Sequence, residues 1–151
     1  MTLDLQAVRQ QATTIVCEAA AVVMRHHDRP VEQTVKGSSP YDIVTVADQE
    51  AEAVIVAALR RHFPDHHIVG EEGGGTGAAA DEAEYFWYID PVDGTTNFAN
   101  HIPMFCISIA LTDRNLRPLV AAIYNPVSDE LYSAAAGYGA TLNGGRLHVS
   151  D

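Results

Sequence analysis

Hydrophobic residues recur every three or four positions in two stretches near the start of the chain. The first stretch predicts an amphipathic helix over residues 3 to 26 that ends before Pro30. Its apolar positions are Leu5, Val8, Ala12, Ile15, Val16, Ala19, Val22 and Val23. In the second stretch, Thr45 is the predicted N-cap, Asp48 lies in the first turn and Pro64 stops the helix. Its apolar positions are Ala51, Val54, Ile55, Ala58 and Leu59.

From residue 67 onward the pattern changes to short runs rich in β-branched and aromatic residues, which are typical of strands. The predicted strands are His67–Gly70, Tyr85–Ile89, Met104–Thr112, Leu119–Tyr124, Glu130–Ala134 and Ala140–Val149. Within the last run, Asn143-Gly144 is the preferred residue pair for a type I′ hairpin turn. Two helices followed by successive strands predict an α+β fold, with the two N-terminal helices packed on a largely antiparallel sheet.

One low-complexity segment, residues 73 to 82, lies between two of the predicted strands. Its glycines predict a mobile loop. It lacks the Gly-Lys-Ser/Thr ending that would bring a lysine to a phosphate, so a P-loop is not expected.

Composition limits the classes of function that need to be considered. With 151 residues and 47% hydrophobic content, the chain is long enough for one core and too short for two ordinary domains. The net charge of −11 argues against nucleic acid or an anionic membrane as a direct electrostatic partner. An acidic protein that binds phosphate needs a local positive centre, and a bound metal ion supplies one.

Cysteines, histidines and the N-terminus add three expectations. Cys17 and Cys106 lie inside apolar runs without a C-x-x-C pair, which predicts buried free thiols. The histidines lack zinc-ligand spacing, since Pro64 interrupts His62 and His66, so roles at the surface or at helix ends are expected. The chain has no basic leader and no apolar run near the ~20 residues of a membrane span, which predicts a soluble cytoplasmic protein.

The most informative stretch is residues 90 to 97, Asp-Pro-Val-Asp-Gly-Thr-Thr-Asn, which sets two carboxylates three residues apart before a predicted helix start. Pro91 fixes its own φ at about −65° and biases Asp90 toward an extended conformation, so a tight turn should end the strand here. Both carboxylates can then face one pocket, where hard oxygen ligands suit Mg²⁺. Gly94 allows close backbone approach to an anion. Taken alone, the same residues also suit an ordinary turn with a helix cap.

Two further segments accompany this stretch. Residues 87 to 98 (WYIDPVDGTTNF), Gly70-Glu71-Glu72 and residues 42 to 48 (DIVTVAD) occur in an order and spacing that resemble the inositol monophosphatase family of Mg²⁺-dependent, Li⁺-sensitive phosphatases. The resemblance runs from about Leu5 to Ser150. It implies the N-terminal half of the sandwich fold shared by inositol monophosphatases and fructose bisphosphatases, with Mg²⁺ as the cofactor.

The resemblance also implies a set of metal ligands. Glu71, Asp90 and the carbonyl of Val92 would hold a first ion, and Asp90 would bridge to a second ion held also by Asp93. The second site should be weak, because a further aspartate normally comes from another domain. Lys36 lies where the family often has a lysine near the site.

The catalytic residues implied by the resemblance are Glu71, Thr95 and Asp48, which would orient the attacking water. Asp48 would accept a hydrogen bond from the Thr95 hydroxyl and make its oxygen a better acceptor for the proton of that water. Gly94 and Thr95 would offer backbone N–H groups to the substrate phosphate.

One family feature is missing from the sequence. The W-D-x-A/G motif of the second domain has no counterpart, since the single tryptophan, Trp87, is followed by Tyr88. We therefore expect a single N-terminal metal- and phosphate-binding domain over residues 1–151, without the usual C-terminal substrate domain. The resemblance implies a homodimeric phosphomonoesterase that hydrolyses a small sugar or polyol phosphate, such as an inositol phosphate, by metal-activated water. The alternative is a catalytically incomplete half that binds metal or an anion and a partner, or its own C-terminal half.

Overall fold

The computed structural model describes residues 3–27, 29–36 and 43–150. Asp42, the first residue of the predicted DIVTVAD segment, lies outside these ranges. The described helices are α1 (Leu5–His27), α2 (Val46–His62) and α3 (Thr95–Ala99). The described strands are β1 (Gln33–Val35), β2 (Ile43–Thr45), β3 (His67–Gly70), β4 (Gly74–Gly77), β5 (Tyr85–Asp93), β6 (Cys106–Asp113), β7 (Pro118–Asn125), β8 (Glu130–Ala135), β9 (Gly139–Leu142) and β10 (Gly145–Arg146).

Both N-terminal helices form as predicted. A capping box starts α2: the Thr45 hydroxyl oxygen accepts the Asp48 backbone N–H at 3.4 Å, and the Asp48 carboxylate accepts the Thr45 backbone N–H at 2.8 Å. Within the described ranges, the helices fall short of the length or the hydropathy that a bilayer crossing demands. The buried positions of α1 are Val8, Ala12, Ile15, Val16, Ala19, Ala20, Val22 and Val23. Those of α2 are Ala47, Asp48, Ala51, Glu52, Ile55, Ala58 and Leu59.

The main sheet confirms the predicted α+β class. Its strand order is β10-β9-β8-β7-β6-β5-β3-β4, and its neighbouring strands are antiparallel except for β3 and β5, which run parallel. The β9–β10 hairpin turns through Asn143 (φ 49°) and Gly144 (φ 80°), and its positive φ values are those of the predicted type I′ turn.

Three strand predictions need correction. The glycine-rich segment contains a strand, β4, because Gly74–Gly77 pairs with β3 along its whole length, so the predicted mobile loop was wrong there. The predicted strand Ala140–Val149 is the β9–β10 hairpin and ends at Arg146. The short β1–β2 pair was missed, since three-residue strands leave too little periodicity to recognise.

The tight turn predicted at Asp90 is a β-bulge. Strand β5 continues to Asp93, with Asp90 opposite Ser108 and Asp93 opposite Cys106, so one extra residue lies on β5. Bulges are the interior sheet positions that accept proline, because Pro91 has no N–H for the ladder. The extra residue bends the strand and changes the direction of the side chains that follow it.

Two burial predictions were also wrong. His66 is 7% exposed: its Nδ1 accepts the indole N–H of Trp87 at 3.1 Å, and its ring stacks on Phe63. Cys17 is a free thiol but lies on the exposed side of α1, because it falls one position outside the buried stripe. Cys106 is free and partly buried.

Helices α1 and α2 cover one face of the sheet. Trp87, Ile109 and Val120 lie on that face and are almost fully buried. Alternate residues point the other way, where Tyr88, Ile123 and Tyr132 keep 37%, 39% and 38% of their surface exposed. Asp90, Ser108, Ile123 and Tyr132 are partners across four adjacent strands, so they form one row on this second face. We call this the open face.

Candidate active site

The parallel pairing of β3 and β5 brings Glu71 and Asp90 together. Gly70 is the register partner of Ile89, and each carboxylate is the next residue along its strand direction. Parallel strands end at the same edge of a sheet, so both acids emerge side by side. They line a shallow cavity of about 270 Å³ on the open face, together with Val69, Gly70, Tyr88, Ile89, Ser108 and Ala110.

One oxygen of the Asp90 carboxylate lacks a hydrogen-bond partner. This atom, Oδ1, is buried. Burial is the largest of the causes that together raise the pKa of Asp90 to about 7. The charge of Glu71, a hydrogen bond with Glu71 and the charge of Asp93 add to it, and a backbone hydrogen bond from Val92 opposes it. An anion that the protein stabilises so poorly would gain from a cation. An orphaned carboxylate oxygen beside a second carboxylate therefore fits a hard divalent ion such as Mg²⁺.

Asp93 lies on the exposed side of the bulge. The Cys106 thiol donates to its Oδ2 at 3.8 Å. Burial, and then the negative charges of Asp93 and Asp90, raise the pKa of Cys106 to about 11. This thiol is therefore protonated at neutral pH, so Cys106 is a poor thiolate nucleophile.

Thr95 and Asp48 form a hydrogen-bonded pair. The Thr95 hydroxyl has two acceptors within reach, Asp48 Oδ1 at 3.0 Å and the carbonyl oxygen of Val92 at 2.9 Å. The other Asp48 oxygen accepts the backbone N–H and the hydroxyl of Thr45, at 2.8 Å and 2.5 Å. Asp48 is fully buried, and these contacts satisfy both of its oxygens. The hydrogen bonds from Thr45 hold the Asp48 carboxylate in place, and this carboxylate in turn orients the Thr95 hydroxyl.

Gly94 joins β5 to the single turn of α3. Its φ is +95°, and a Cβ there would lie 2.9 Å from the carbonyl oxygen of Met104. Only glycine meets both conditions without strain. The first N–H groups of a helix have no intrahelical partners, so those of Thr95 and Thr96 remain available for other acceptors.

Lys36 contacts both acids of the Glu71-Glu72 pair. Its Nζ lies 3.5 Å from Glu71 Oε1 and donates a hydrogen bond to Glu72. Burial works to lower the pKa of Lys36, but the hydrogen bond to Glu72 and the two negative charges raise it overall. Both acids lie in the turn after β3, where strand alternation does not apply.

The predicted residues therefore assemble in two groups, Glu71 with Asp90 and Asp48 with Thr95, with the Val92 carbonyl bonded to Thr95. In the described ranges, no three histidine, cysteine, aspartate or glutamate side chains converge as a ready-made metal cage. Of the predicted metal ligands, Glu71 and Asp90 therefore line one cavity, but they do not form a complete ligand set with a third such side chain in the described ranges.

Glu52, which is 6% exposed on α2, was not among the site residues predicted from the sequence. Its Oε2 accepts the backbone N–H of Glu72 at 2.8 Å, and its Oε1 accepts that of Gly73 at 2.5 Å. The signal was present in the sequence, since Glu52 falls four residues after Asp48 on the apolar side of the predicted helix.

The model of the inositol monophosphatase family matches residues 4–151. The chain belongs to the inositol monophosphatase family.

Among its relatives, inositol-1-monophosphatase from Synechocystis sp. is 41% identical over 147 residues, covering 97% of this chain and 50% of the relative. Nus factor SuhB from Pseudomonas aeruginosa is 43% identical over 132 residues, covering 87% of this chain and 48% of the relative. The solved inositol monophosphatase from Anabaena (Nostoc) sp. has a TM-score of 0.81 at 41% identity, covering 99% of this chain and 52% of that one. The chain spans about half the length of the curated relatives it matches.

Proposed function

We propose that this chain is the N-terminal metal- and phosphate-binding domain of a Mg²⁺-dependent phosphomonoesterase that hydrolyses a small sugar or polyol phosphate, such as an inositol phosphate. The observation that carries the proposal is the half-buried carboxylate of Asp90, which has an unpartnered oxygen and lies beside Glu71. Thr95, which donates a hydrogen bond to Asp48, follows Asp90 closely in the chain. Lithium sensitivity, a homodimeric state and a cytoplasmic location are parts of the same proposal, and they rest on the family resemblance.

Glu71, Asp90, Asp93 and the Val92 carbonyl would hold the ion. When bound, Mg²⁺ would supply charge neutralisation for the phosphate oxygens and a lowered pKa for water. Asp90 in its charged form is poorly stabilised by the protein alone, so its affinity for a cation should be high relative to that of an exposed aspartate.

Thr95 and Asp48 supply proton handling. A Thr95 hydroxyl that donates to Asp48 leaves its oxygen lone pairs free to accept the proton of a water molecule. Glu71 lies at the adjacent sheet edge and would orient the same water. The backbone N–H groups of Gly94 and Thr95 would hold the phosphate against the glycine turn.

Asp93→Asn tests the metal assignment, because it removes one charge from an exposed position without changing side-chain volume. We expect loss of Mg²⁺-dependent phosphate release, by about 100-fold or more, in the full-length enzyme, with an unchanged thermal midpoint. Asp81→Asn makes the same change at an exposed position beyond the opposite end of β5 and is the matched control. An unchanged rate in Asp93→Asn would sink the assignment.

The assay that tests the proposal as a whole measures phosphate release from inositol 1-phosphate and a panel of sugar phosphates, with and without Mg²⁺ and with added Li⁺. Mg²⁺-dependent, Li⁺-inhibited release by this chain means that its own site suffices for chemistry. Release only when a C-terminal half like that of the relatives is joined to this chain means that the chain is half of an enzyme. No release by either form contradicts the phosphatase proposal.

A second candidate function is a non-catalytic domain that keeps the metal and anion pocket and binds a partner or its own C-terminal half. The open face favours it, because the exposed side chains of Ile123 and Tyr132 lie in the same row as Asp90, and exposed Tyr88 lies on the same face of β5. One relative is named for a role as a Nus factor. Mg²⁺ binding without turnover in the full-length form would favour this second function.

A further inference from the structure

We infer that Glu52 is a positioning residue that holds the turn carrying Glu71 in place. The inference rests on the proposed function, in which Glu71 is a metal ligand and orients water. Glu52 contacts the backbone of residues 72 and 73 and acts through it.

The contact is a two-point clamp between a helix and a turn. Each oxygen of the Glu52 carboxylate accepts one backbone N–H, Oε2 from Glu72 at 2.8 Å and Oε1 from Gly73 at 2.5 Å. Bonds from N–H groups to a charged acceptor are about twice as strong as neutral ones. A single bond would leave the turn free to rotate about it, whereas two parallel bonds fix its orientation.

The clamp explains two glycines that flank the Glu71-Glu72 pair. A Cβ at residue 70 would lie 2.7 Å from Glu52 Oε1, and a Cβ at residue 73 would lie 2.8 Å from the same atom. Both distances are too short for real contacts, so any side chain at either position must displace the carboxylate. The glycines therefore leave the space that the Glu52 carboxylate fills.

Burial of Glu52 would be costly without this role. The position lies on the apolar side of α2 between Ala51 and Ile55, where a leucine or isoleucine would suit the core. Burying a carboxylate is unfavourable unless hydrogen bonds compensate for lost hydration. A hydrocarbon side chain would leave the N–H groups of Glu72 and Gly73 without these acceptors.

The position of Glu52 also ties the two halves of the site together. Asp48 and Glu52 are one helical turn apart on the buried side of α2. Asp48 holds Thr95, and Glu52 holds the turn after Glu71. One rigid helix thus sets both the proton-handling pair and the backbone next to the first proposed metal ligand.

Glu52→Gln tests the clamp with little change of shape, since the amide keeps one acceptor and turns an NH₂ group toward the other N–H. Two readouts are needed: amide hydrogen exchange at Glu72 and Gly73, and Mg²⁺ affinity by calorimetry on the intact chain. We expect exchange at both amides to rise about tenfold or more, and Mg²⁺ affinity to fall by about 10- to 100-fold, as for other residues that orient metal ligands.

Val16→Ala is the stability control, because Val16 is fully buried on α1, a different helix from the one that carries Asp48 and Glu52. It should lower the thermal midpoint while leaving Mg²⁺ affinity within about twofold of wild type, since its effect stays in the core. If Glu52→Gln changes only the midpoint, as Val16→Ala does, the positioning role is wrong.

Gly70→Ala supplies a second, independent test. The added Cβ should push the carboxylate away and reproduce the exchange and affinity changes of Glu52→Gln. Glu52→Asp shortens the side chain and opens room at residue 70. Adding Gly70→Ala to the Glu52→Asp variant should therefore lower Mg²⁺ affinity little beyond the loss from Glu52→Asp alone. Additive losses in the double variant would overturn the inference.

The outcomes also separate this inference from the proposed function. If the wild-type chain binds Mg²⁺ and Glu52→Gln binds it equally well with unchanged amide exchange, the positioning role alone fails. If the wild-type chain binds no Mg²⁺ in any form, the proposed function fails, and amide exchange at Glu72 and Gly73 still decides whether Glu52 holds the turn.

Discussion

At the scale of single residues, two aspartates illustrate how surroundings set the chemistry of one functional group. Asp48 is fully buried, and donors reach both of its oxygens. Asp90 is half-buried with one oxygen unpartnered, and its pKa is raised to about 7 by burial and by Glu71 and Asp93. Asp48 is therefore suited to orient a neighbour, whereas Asp90 is suited to bind a cation.

Gly94 gives a residue-scale prediction. Gly94→Ala combines a φ of +95° with a Cβ only 2.9 Å from a backbone oxygen that cannot rotate away. Gly137→Ala is the matched control, since its φ is +82° and nothing lies within 4 Å of its Cβ. We expect Gly137→Ala to cost about 1–2 kcal/mol from backbone strain alone.

Gly94→Ala should cost about 1–3 kcal/mol more than Gly137→Ala because of the added overlap. Urea unfolding of the two variants measures the difference. Equal losses would mean that the segment around Met104 moves aside, and that Gly94 is required for its φ alone.

At the scale of elements, the sequence predicted what depends on local periodicity. The buried stripes of α1 and α2 and the Asn143-Gly144 turn could be read from spacing and turn chemistry. Strand β4 could not, because its glycine-rich sequence has low intrinsic strand preference and pairing with β3 decides its conformation. The parallel register of β3 with β5, which brings Glu71 to Asp90, is a non-local property that no window of sequence contains.

His66, which lies between α2 and β3 and accepts a hydrogen bond from Trp87 on β5, gives an element-scale prediction on pH. Burial lowers the pKa of His66 despite the charges of Asp65 and Glu84, so the folded chain binds this proton less well than the unfolded chain. Stability should therefore be greatest above the unfolded pKa of about 6.5 and fall as pH drops below it. The slope for one proton is at most about 1.4 kcal/mol per pH unit.

His66→Asn keeps an acceptor for the Trp87 N–H and removes the titration. Urea unfolding between pH 7.5 and about pH 5 should show a shallower loss for this variant than for wild type. The same substitution at exposed His148 should leave the wild-type pH dependence in place. Parallel curves for wild type and His66→Asn would contradict the account.

At the scale of the whole molecule, the two faces of the sheet differ. One is sealed by α1 and α2, and the open face presents Tyr88, Ile123 and Tyr132 beside the carboxylate cavity. Exposed apolar surface of this kind tends to associate, although a net charge of −11 opposes close approach of two copies.

Self-association through the open face is the prediction at this scale. Ile123→Lys should weaken association measured by sedimentation velocity by about tenfold or more, since it places a charge within the apolar patch. Thr14→Lys makes the same change of charge on the exposed side of α1. It shows whether any change in association comes from the position of the new charge in the patch or from the altered net charge. If the chain is a monomer at all concentrations and does not bind a C-terminal half like that of its relatives, there is no reason to assign a binding role to this face.

The parallel pair β3 and β5 has a consequence for the order of folding. The chain leaves β3, forms β4 on the outer edge and returns to the other side of β3 before Asp90 can meet Glu71. Such crossovers close slowly compared with helices and tight hairpins, because chain entropy is lost before the contacts form. During refolding from urea, helical circular dichroism should thus return early, and the capacity to bind divalent cations should be among the last properties to recover.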